Sequence, residues 1–167
     1  MTTAAAITTP IGPLAVVLDE DGTVLASGFG GLTALTTRLG IPDGLPLTPP
    51  SVLAPLTDTV NHYFAGDIEA LDDVPVRQSG GLFAQETWVQ LREVPPGATV
   101  TYAQLADRAG SPGAARAAGQ ACARNLVAPF VPCHRVVPSG GGVGGYAYGA
   151  DVKTWLLDHE RAARDVP

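Results

Sequence analysis

Two short apolar runs near the N-terminus show the pattern of paired β-strands. Residues 14–18 and 23–29 are rich in Leu, Val and Ala, and they flank the polar segment Asp19-Glu20-Asp21-Gly22. An Asp-Gly pair between such runs is typical of a β-hairpin. The sequence therefore predicts antiparallel strands at the start of the chain.

Later segments have helical periodicity. Apolar side chains recur every three or four residues over 53–64 and over 83–94, and a third pattern spans Asp151 to Arg161. The first pattern stops at Gly66 and the second at Pro95-Pro96-Gly97, residue types that end helices. The sequence predicts three amphipathic helices, with the Pro-Pro-Gly turn as a boundary between an N-terminal and a C-terminal part.

Just beyond this turn the pattern predicts a helix-turn-helix. Thr101 is placed to cap a first helix, Gly110 supplies a turn, and Ser111 with Pro112 is typical of the start of a second helix. The second helix, Gly113 to Ala121, is nearly all Ala and Gly around a single arginine. Such a slim helix can approach a nucleic-acid groove, although the same composition fits a buried packing helix.

Composition narrows the class of protein. The chain has 167 residues, of which 46% are hydrophobic and 16% charged, which excludes intrinsic disorder. No apolar run approaches the roughly 18 residues of a membrane span, and the N-terminus lacks the basic flank of a signal peptide. Two cysteines and three histidines show no zinc spacing. We expect a cytoplasmic protein with reduced thiols, no metal and no cofactor.

The net charge of −6 is distributed unevenly. Residues 1–100 carry three basic and eleven acidic side chains, whereas residues 101–135 carry four arginines and one aspartate. A basic island in an acidic chain is expected where one small region approaches phosphate. Chance clustering in a short window is the alternative.

The segment Val131-Pro132-Cys133-His134-Arg135-Val136-Val137 carries the candidate chemistry. A cysteine reacts as thiolate, and a neighbouring base or positive charge promotes that form. His134 and Arg135 are residues of these types. The segment predicts a nucleophilic cysteine, with a buried structural cysteine beside a core histidine as the alternative.

The same segment resembles the acceptor-cysteine motif of the O6-alkylguanine-DNA alkyltransferases, also called methylated-DNA–protein-cysteine methyltransferases. The resemblance extends over nearly the whole chain, including Thr9-Pro10-Ile11-Gly12-Pro13-Leu14, Tyr63-Phe64-Ala65-Gly66 and Phe83-Ala84-Gln85. Further residues fall at the family's spacings from the cysteine: Tyr102, Arg116, Asn125, Gly144, Tyr146, Lys153, Leu156, Leu157 and Glu160.

The resemblance implies direct-reversal DNA repair. Cys133 would accept the alkyl group from guanine O6, with thymine O4 as a possible second target, in a single irreversible turnover. His134 would take the thiol proton through a water and Glu160 would hold the imidazole. Tyr102 would donate its hydroxyl to the leaving base, and Asn125 would tie the cysteine turn to the recognition helix.

The resemblance also implies how DNA is held. Arg116 would fill the stack after the damaged nucleotide is flipped out of the duplex. The expected DNA-binding residues are Arg116, Thr101, Tyr102, Ala117, Ala121 and Arg135. The expected substrate pocket is formed by Val143, Gly144, Tyr146, Ala147 and Tyr148.

The implied fold is α/β in two domains. Residues 1–80 would form a ribonuclease-H-like mixed α/β domain, and residues 81–167 a mostly helical domain with a winged-helix-like helix-turn-helix. The implied partner is double-stranded DNA containing alkylated guanine, and the protein is expected to act as a monomer. It would not associate with a membrane. Its expected location is the cytoplasm, and the nucleoid when it is bound to DNA.

Two departures from the family leave other functions open. Leu126 and Ala128 stand where the family has prolines, and the bulky Tyr148 stands where it has small residues. These changes are compatible with a lesion sensor that binds without transfer. A cysteine hydrolase using Cys133, His134 and Glu160 is a third possibility, and it would turn over repeatedly.

Overall fold

The computed structural model describes residues 1–166 as a mixed α/β chain divided into two compact units. The first unit comprises Met1–Gln78 and Leu126–Phe130, and the second comprises Ser79–Asn125 and the chain from Val131 onward. The Pro95-Pro96-Gly97 turn lies inside the second unit rather than between the two. No helix in the described chain is long and apolar enough to cross a membrane.

A three-stranded antiparallel meander forms the centre of the first unit. Strands β1 (Thr3–Thr9), β2 (Gly12–Leu18) and β3 (Val24–Phe29) pair in sequence order. The central strand is buried from Leu14 to Leu18. The predicted hairpin joins β2 to β3, where Asp19 Oδ1 accepts from the amides of Asp21 and Thr23, both at 2.9 Å.

Two helices belong to this unit, α1 (Leu32–Leu39) and α2 (Pro50–Phe64). The predicted periodicity of α2 is confirmed by its buried side chains Leu56, Val60 and Tyr63, of which Tyr63 is the fully buried aromatic one. The segment 126–130 is anchored beside β3, because Ser27 N donates to Leu126 O and Ser27 Oγ to Ala128 O, both at 2.7 Å. Backbone pairing thus fixes the segment that lacks the family's prolines.

The second unit contains four helices within residues 79–166. They are α3 (Leu82–Arg92), α4 (Tyr102–Arg108), α5 (Ala115–Ala123) and α6 (Ala150–Arg164). Strands β4 (Val100–Thr101) and β5 (Val136–Val137) form a short parallel pair. Trp88 on α3 donates from Nε1 to Ala121 O at 2.9 Å, which fastens α5 to the core of this unit.

The helix pair α4–α5 differs from the prediction at one end. Thr101 caps α4 in a full capping box with Gln104, as expected. Helix α5, however, begins at Ala115 with Ala114 as its N-cap, so Ser111 and Pro112 lie outside it. Gly113 has a φ of +83°, a left-handed conformation that a right-handed helix cannot include, and this delays the helix start.

Candidate active site

Cys133 opens a 3₁₀ turn, Cys133–Arg135, that leads directly into β5. The turn is set by two backbone hydrogen bonds, from Cys133 N to Val131 O at 2.9 Å and from Arg135 N to Pro132 O at 3.0 Å. Cys133 remains partly exposed, whereas His134 and Arg135 are buried. The turn therefore leaves Cys133 partly exposed and holds the imidazole and the guanidinium below the surface.

Beneath the cysteine, Glu160 of α6 binds both residues that follow it. His134 Nε2 lies 2.9 Å from Glu160 Oε2. Arg135 donates to the same carboxylate from Nε and Nη2, each at 2.9 Å, and from Nη1 to Val94 O at 2.8 Å. All three side chains are almost completely buried, and a two-pronged arginine contact of this kind fixes the orientation of the carboxylate.

The network determines which nitrogen of His134 is basic. Burial acts to raise the pKa of Glu160, but the charges and hydrogen bonds of His134 and Arg135 hold that pKa well below its usual range. Burial lowers the pKa of His134 more than Glu160 raises it, so the ring is neutral at pH 7. Because a carboxylate only accepts, Nε2 carries the hydrogen. Nδ1 is then a lone-pair acceptor, and it is buried without a hydrogen-bond partner in residues 1–166.

Three further ionisable side chains, Tyr102, Cys122 and Lys153, surround the cysteine. Burial, followed by the influence of Cys122 and Cys133, raises the pKa of Tyr102, so its hydroxyl keeps its proton. Burial and Cys133 raise the pKa of Cys122 to about 12, against a smaller opposing effect of Lys153. Cys122 is therefore a neutral thiol, which leaves Cys133 as the candidate nucleophile of the pair.

Asn125 connects the end of α5 to the cysteine segment. Its side chain is buried, and Nδ2 donates to Val131 O at 2.8 Å, two residues before Cys133. This is the contact expected of a residue that ties the cysteine turn to the recognition helix.

The pocket-wall loop, residues 138–149, contains every residue predicted to line the substrate pocket. Its Tyr146 ring packs edge-on against His134, with centroids 6.4 Å apart, and against Tyr148 at 5.3 Å. Gly144 has a φ of +76°, and a Cβ there would lie 2.9 Å from Pro138 Cδ. Val143 is half-buried and Ala147 exposed. The loop places Tyr146 and Tyr148 together beside His134.

The predicted DNA-binding residues divide into two groups. Arg116 is exposed on α5, and Thr101, Tyr102 and Ala117 are partly exposed, so all four remain candidates. The other two predicted residues, Ala121 and Arg135, are buried. Ala121 is 3% exposed beneath Trp88, and Arg135 is 2% exposed with its guanidinium bound to Glu160 and Val94, so neither can reach a phosphate.

Lys153 has a larger part in the site than sequence reasoning gave it. Its spacing from the cysteine matches the family, and it is also the single lysine among ten basic residues. The side chain is fully buried, and Nζ donates to Val136 O at 2.6 Å and to Gly145 O at 3.1 Å. A single lysine in a chain whose other basic residues are all arginines is a sequence feature that could have indicated a special role for Lys153.

Comparison with protein families matches residues 82–162 to the model described as "6-O-methylguanine DNA methyltransferase, DNA binding domain". The methylated-DNA–protein-cysteine methyltransferase of Shigella flexneri is 37% identical over 158 residues, which cover 92% of each chain. The protein of the same name from Mycobacterium tuberculosis is 37% identical over 157 residues, covering 93% of this chain and 90% of its own.

Solved structures give the same result for the fold. The crystal structure of Mycobacterium tuberculosis O6-methylguanine methyltransferase aligns with a TM-score of 0.81 at 31% identity, covering 100% of this chain and 96% of its own. The enzyme from that organism, called OGT, in complex with DNA aligns with a TM-score of 0.80 at 32% identity, covering 96% and 94%.

Proposed function

Because this chain belongs to the methylated-DNA–protein-cysteine methyltransferase family, we propose that Cys133 is the cysteine that receives the alkyl group. The protein binds DNA and repairs it by direct reversal, as a methyltransferase whose acceptor is one of its own cysteines. We propose guanine O6 as the site from which the group is taken, with thymine O4 as a second target, and a monomer as the acting form.

One observation carries the assignment: within residues 1–166, Nδ1 of His134 has no hydrogen-bond partner, whereas Nε2 is held by Glu160. A neutral imidazole in this tautomer has its basic nitrogen available to the thiol, directly or through a water. The negative Glu160 then stabilises the imidazolium that forms, while Arg135 prevents the carboxylate from taking the proton itself.

The transfer is a displacement at the alkyl carbon. His134 accepts the thiol proton, the sulfur of Cys133 forms a bond to the alkyl carbon, and the bond from that carbon to guanine O6 breaks. The bonding electrons pass to the guanine, where the protonated Tyr102 hydroxyl donates a hydrogen bond against the developing charge. The product is a thioether that the site has no means to cleave, so each molecule repairs one lesion.

The lesion must leave the duplex before the sulfur can reach it. We assign Arg116 to the gap that the flipped nucleotide leaves, because it is exposed and is the only long basic side chain of the slim helix α5. The pocket-wall loop, with Val143, Gly144, Tyr146, Ala147 and Tyr148, would enclose the extruded base. Asn125 would keep the cysteine turn in register with α5.

The finer fold and location are part of the same proposal. The antiparallel meander and its helices support a ribonuclease-H-like first domain, residues 1–80. The α4–α5 pair and the β4–β5 ladder support a winged-helix-like second domain, residues 81–167. A DNA-repair role supports a cytoplasmic location on the nucleoid.

Mass spectrometry after incubation with duplex DNA containing O6-methylguanine tests the function. We expect the protein to gain about 14 mass units, methyl for hydrogen, on the peptide containing Cys133. Cys122→Ser should gain the same mass and Cys133→Ser none. Tight binding of the duplex without any gain would instead establish a lesion sensor. Repeated release of product from an ester or amide would establish a hydrolase.

A further inference from the structure

Lys153 is unusual for this protein in both identity and position. It is the only lysine in a sequence with ten basic residues, so the other nine are arginines. It lies on α6 and is 0% exposed, whereas a lysine side chain normally extends its ammonium into water. An ammonium in this position must be compensated by the groups around it.

Its hydrogen bonds join two parts of the site. Nζ donates to Val136 O of β5 at 2.6 Å and to Gly145 O of the pocket-wall loop at 3.1 Å. A Cβ on Gly144 would lie 3.7 Å from Nζ, so the loop backbone passes close to the ammonium. Lys153 therefore links the strand that follows Cys133 to the loop that carries Tyr146.

Two carbonyl oxygens do not neutralise a buried positive charge. Glu160, about two turns further along the same helix, is bound by His134 and Arg135. No carboxylate pairs with Lys153 in the described part of the chain. The ionisable groups around it are the Cys133 and Cys122 thiols, and His134. Tyr102 faces the same two thiols from α4.

Among these groups only Cys133 can supply the missing anion. Burial lowers the pKa of Lys153, and Cys133 followed by Cys122 acts in the opposite direction. Cys122, with a pKa of about 12, and Tyr102, with a raised pKa, both stay protonated, and His134 is neutral or positive. The buried Lys153 ammonium and the Cys133 thiolate therefore carry complementary charges.

We propose that Lys153 is a positioning residue that stabilises the Cys133 thiolate as its buried counter-ion while fastening the pocket-wall loop to β5. This inference rests on the assignment of Cys133 as the acceptor. It divides the activation of the sulfur between two groups: His134 removes the proton, and Lys153 lowers the free energy of the anion that is left.

The proposal also explains why this position is not arginine. An ammonium is a compact point charge with three N–H donors in a tetrahedral arrangement. Two of these donors are directed to Val136 O and Gly145 O, which leaves the third N–H for another acceptor. A planar guanidinium is larger and directs its donors in a fixed fork. In a fully buried site between a strand and a tight glycine loop, the two are not interchangeable.

A single lysine permits a direct measurement. Protein labelled with ¹³C and ¹⁵N in lysine only will give one Nζ signal in NMR spectra, free of overlap. In the wild type, we expect this signal to shift across the pH range in which the Cys133 thiol ionises, and to shift again after alkylation. Cys133→Ser should abolish the first response, and the matched variant Cys122→Ser should retain it. A signal that does not follow Cys133, or that follows Cys122, would overturn the proposal.

Lys153→Met and Lys153→Arg supply a second readout. We expect the pH midpoint of Cys133 alkylation by iodoacetamide to rise by about one unit or more in Lys153→Met, with alkylation at pH 7 slowed about tenfold. Lys153→Arg should restore only part of the rate. A purely structural lysine would lower the melting temperature and leave the midpoint unchanged.

The two proposals fail in different ways. If no methyl mass appears on wild-type Cys133, the proposed function is wrong, whatever the lysine does. If the mass appears but neither the lysine signal nor the midpoint responds, only the role of Lys153 is wrong. Because the NMR titration uses the wild type, it decides the question even if Lys153→Met does not fold.

Discussion

His134 contributes to stability as well as to chemistry, because it is buried as a neutral ring. Burial lowers its pKa in the folded state below the value of about 6.5 that it has in an unfolded chain. As the pH falls through 6.5, the unfolded chain therefore binds a proton at this residue that the folded chain does not. The stability contribution is complete above pH 6.5 and is lost as the pH falls.

We therefore expect the free energy of unfolding to decrease by about 1 kcal/mol per pH unit between pH 6.5 and 5. Urea titration followed by tryptophan fluorescence measures this in the second unit, since Trp88 and Trp155 both lie there. His134→Gln should flatten the dependence, and His62→Gln on the exposed face of α2 should leave it unchanged. Equal slopes in wild type and His134→Gln would contradict a neutral buried imidazole.

Individual residues also show what a sequence can and cannot predict. The choice of Cys133, His134 and Glu160 as candidate site residues follows from local chemistry and family spacing. The burial of Arg135 does not, because an arginine beside a nucleophilic cysteine looks the same in sequence whether it binds a phosphate or a carboxylate 25 residues away. Long-range partners decide that question.

Among the elements, those with strong periodicity or clear capping and turn residues were predicted, and those with neither were missed. Helices α2, α3 and α6 and the β2–β3 hairpin follow the pattern of apolar side chains. Strand β1 is rich in Ala and Thr, and α1 is a short helix between two glycine-containing segments, so neither has a clear period. Their structure depends on pairing and packing with β2 and β3, which only the folded chain supplies.

Helix α5 has one exposed arginine near its start, and this permits a test of base flipping that is separate from transfer chemistry. If Arg116 fills the stack, Arg116→Ala should slow transfer about tenfold or more on duplex DNA and about twofold or less on free methylguanine, where the unstacking cost of a few kcal/mol is absent. Arg77→Ala, which removes the same charge from an exposed residue of the first unit, is the control. The same loss on both substrates would remove Arg116 from this role.

Two glycines of the second unit should respond to alanine in opposite ways. A Cβ at Gly119 in α5 would lie 3.7 Å from the Tyr102 ring, an ordinary contact, so Gly119→Ala should raise the free energy of unfolding by about 0.5–1 kcal/mol. A Cβ at Gly80 would lie 2.7 Å from Trp88, so Gly80→Ala should lower it by about 1–3 kcal/mol. Urea titration followed by circular dichroism compares the two. The reverse order would refute this packing of α5 and α3.

At the scale of the molecule, the charge pattern determines how DNA can be held. The acidic side chains are concentrated in residues 1–100, and the basic island of residues 101–135 contains four arginines. One of them, Arg135, is buried on Glu160, which leaves Arg108, Arg116 and Arg124 exposed. The number of phosphates that this region can neutralise is therefore smaller than the sequence alone indicates.

Counterion release makes that number measurable. With about three contacts, the logarithm of the affinity for duplex DNA should fall with the logarithm of salt concentration with a slope of about −2 to −3. Arg108→Ala and Arg124→Ala should each make the slope shallower by about 0.9 if the side chain contacts phosphate. Arg77→Ala is the control, because it removes the same charge from a residue paired with Asp19 in the first unit. A slope near zero would exclude phosphate contacts by the island, and one steeper than about −5 would require arginines outside it.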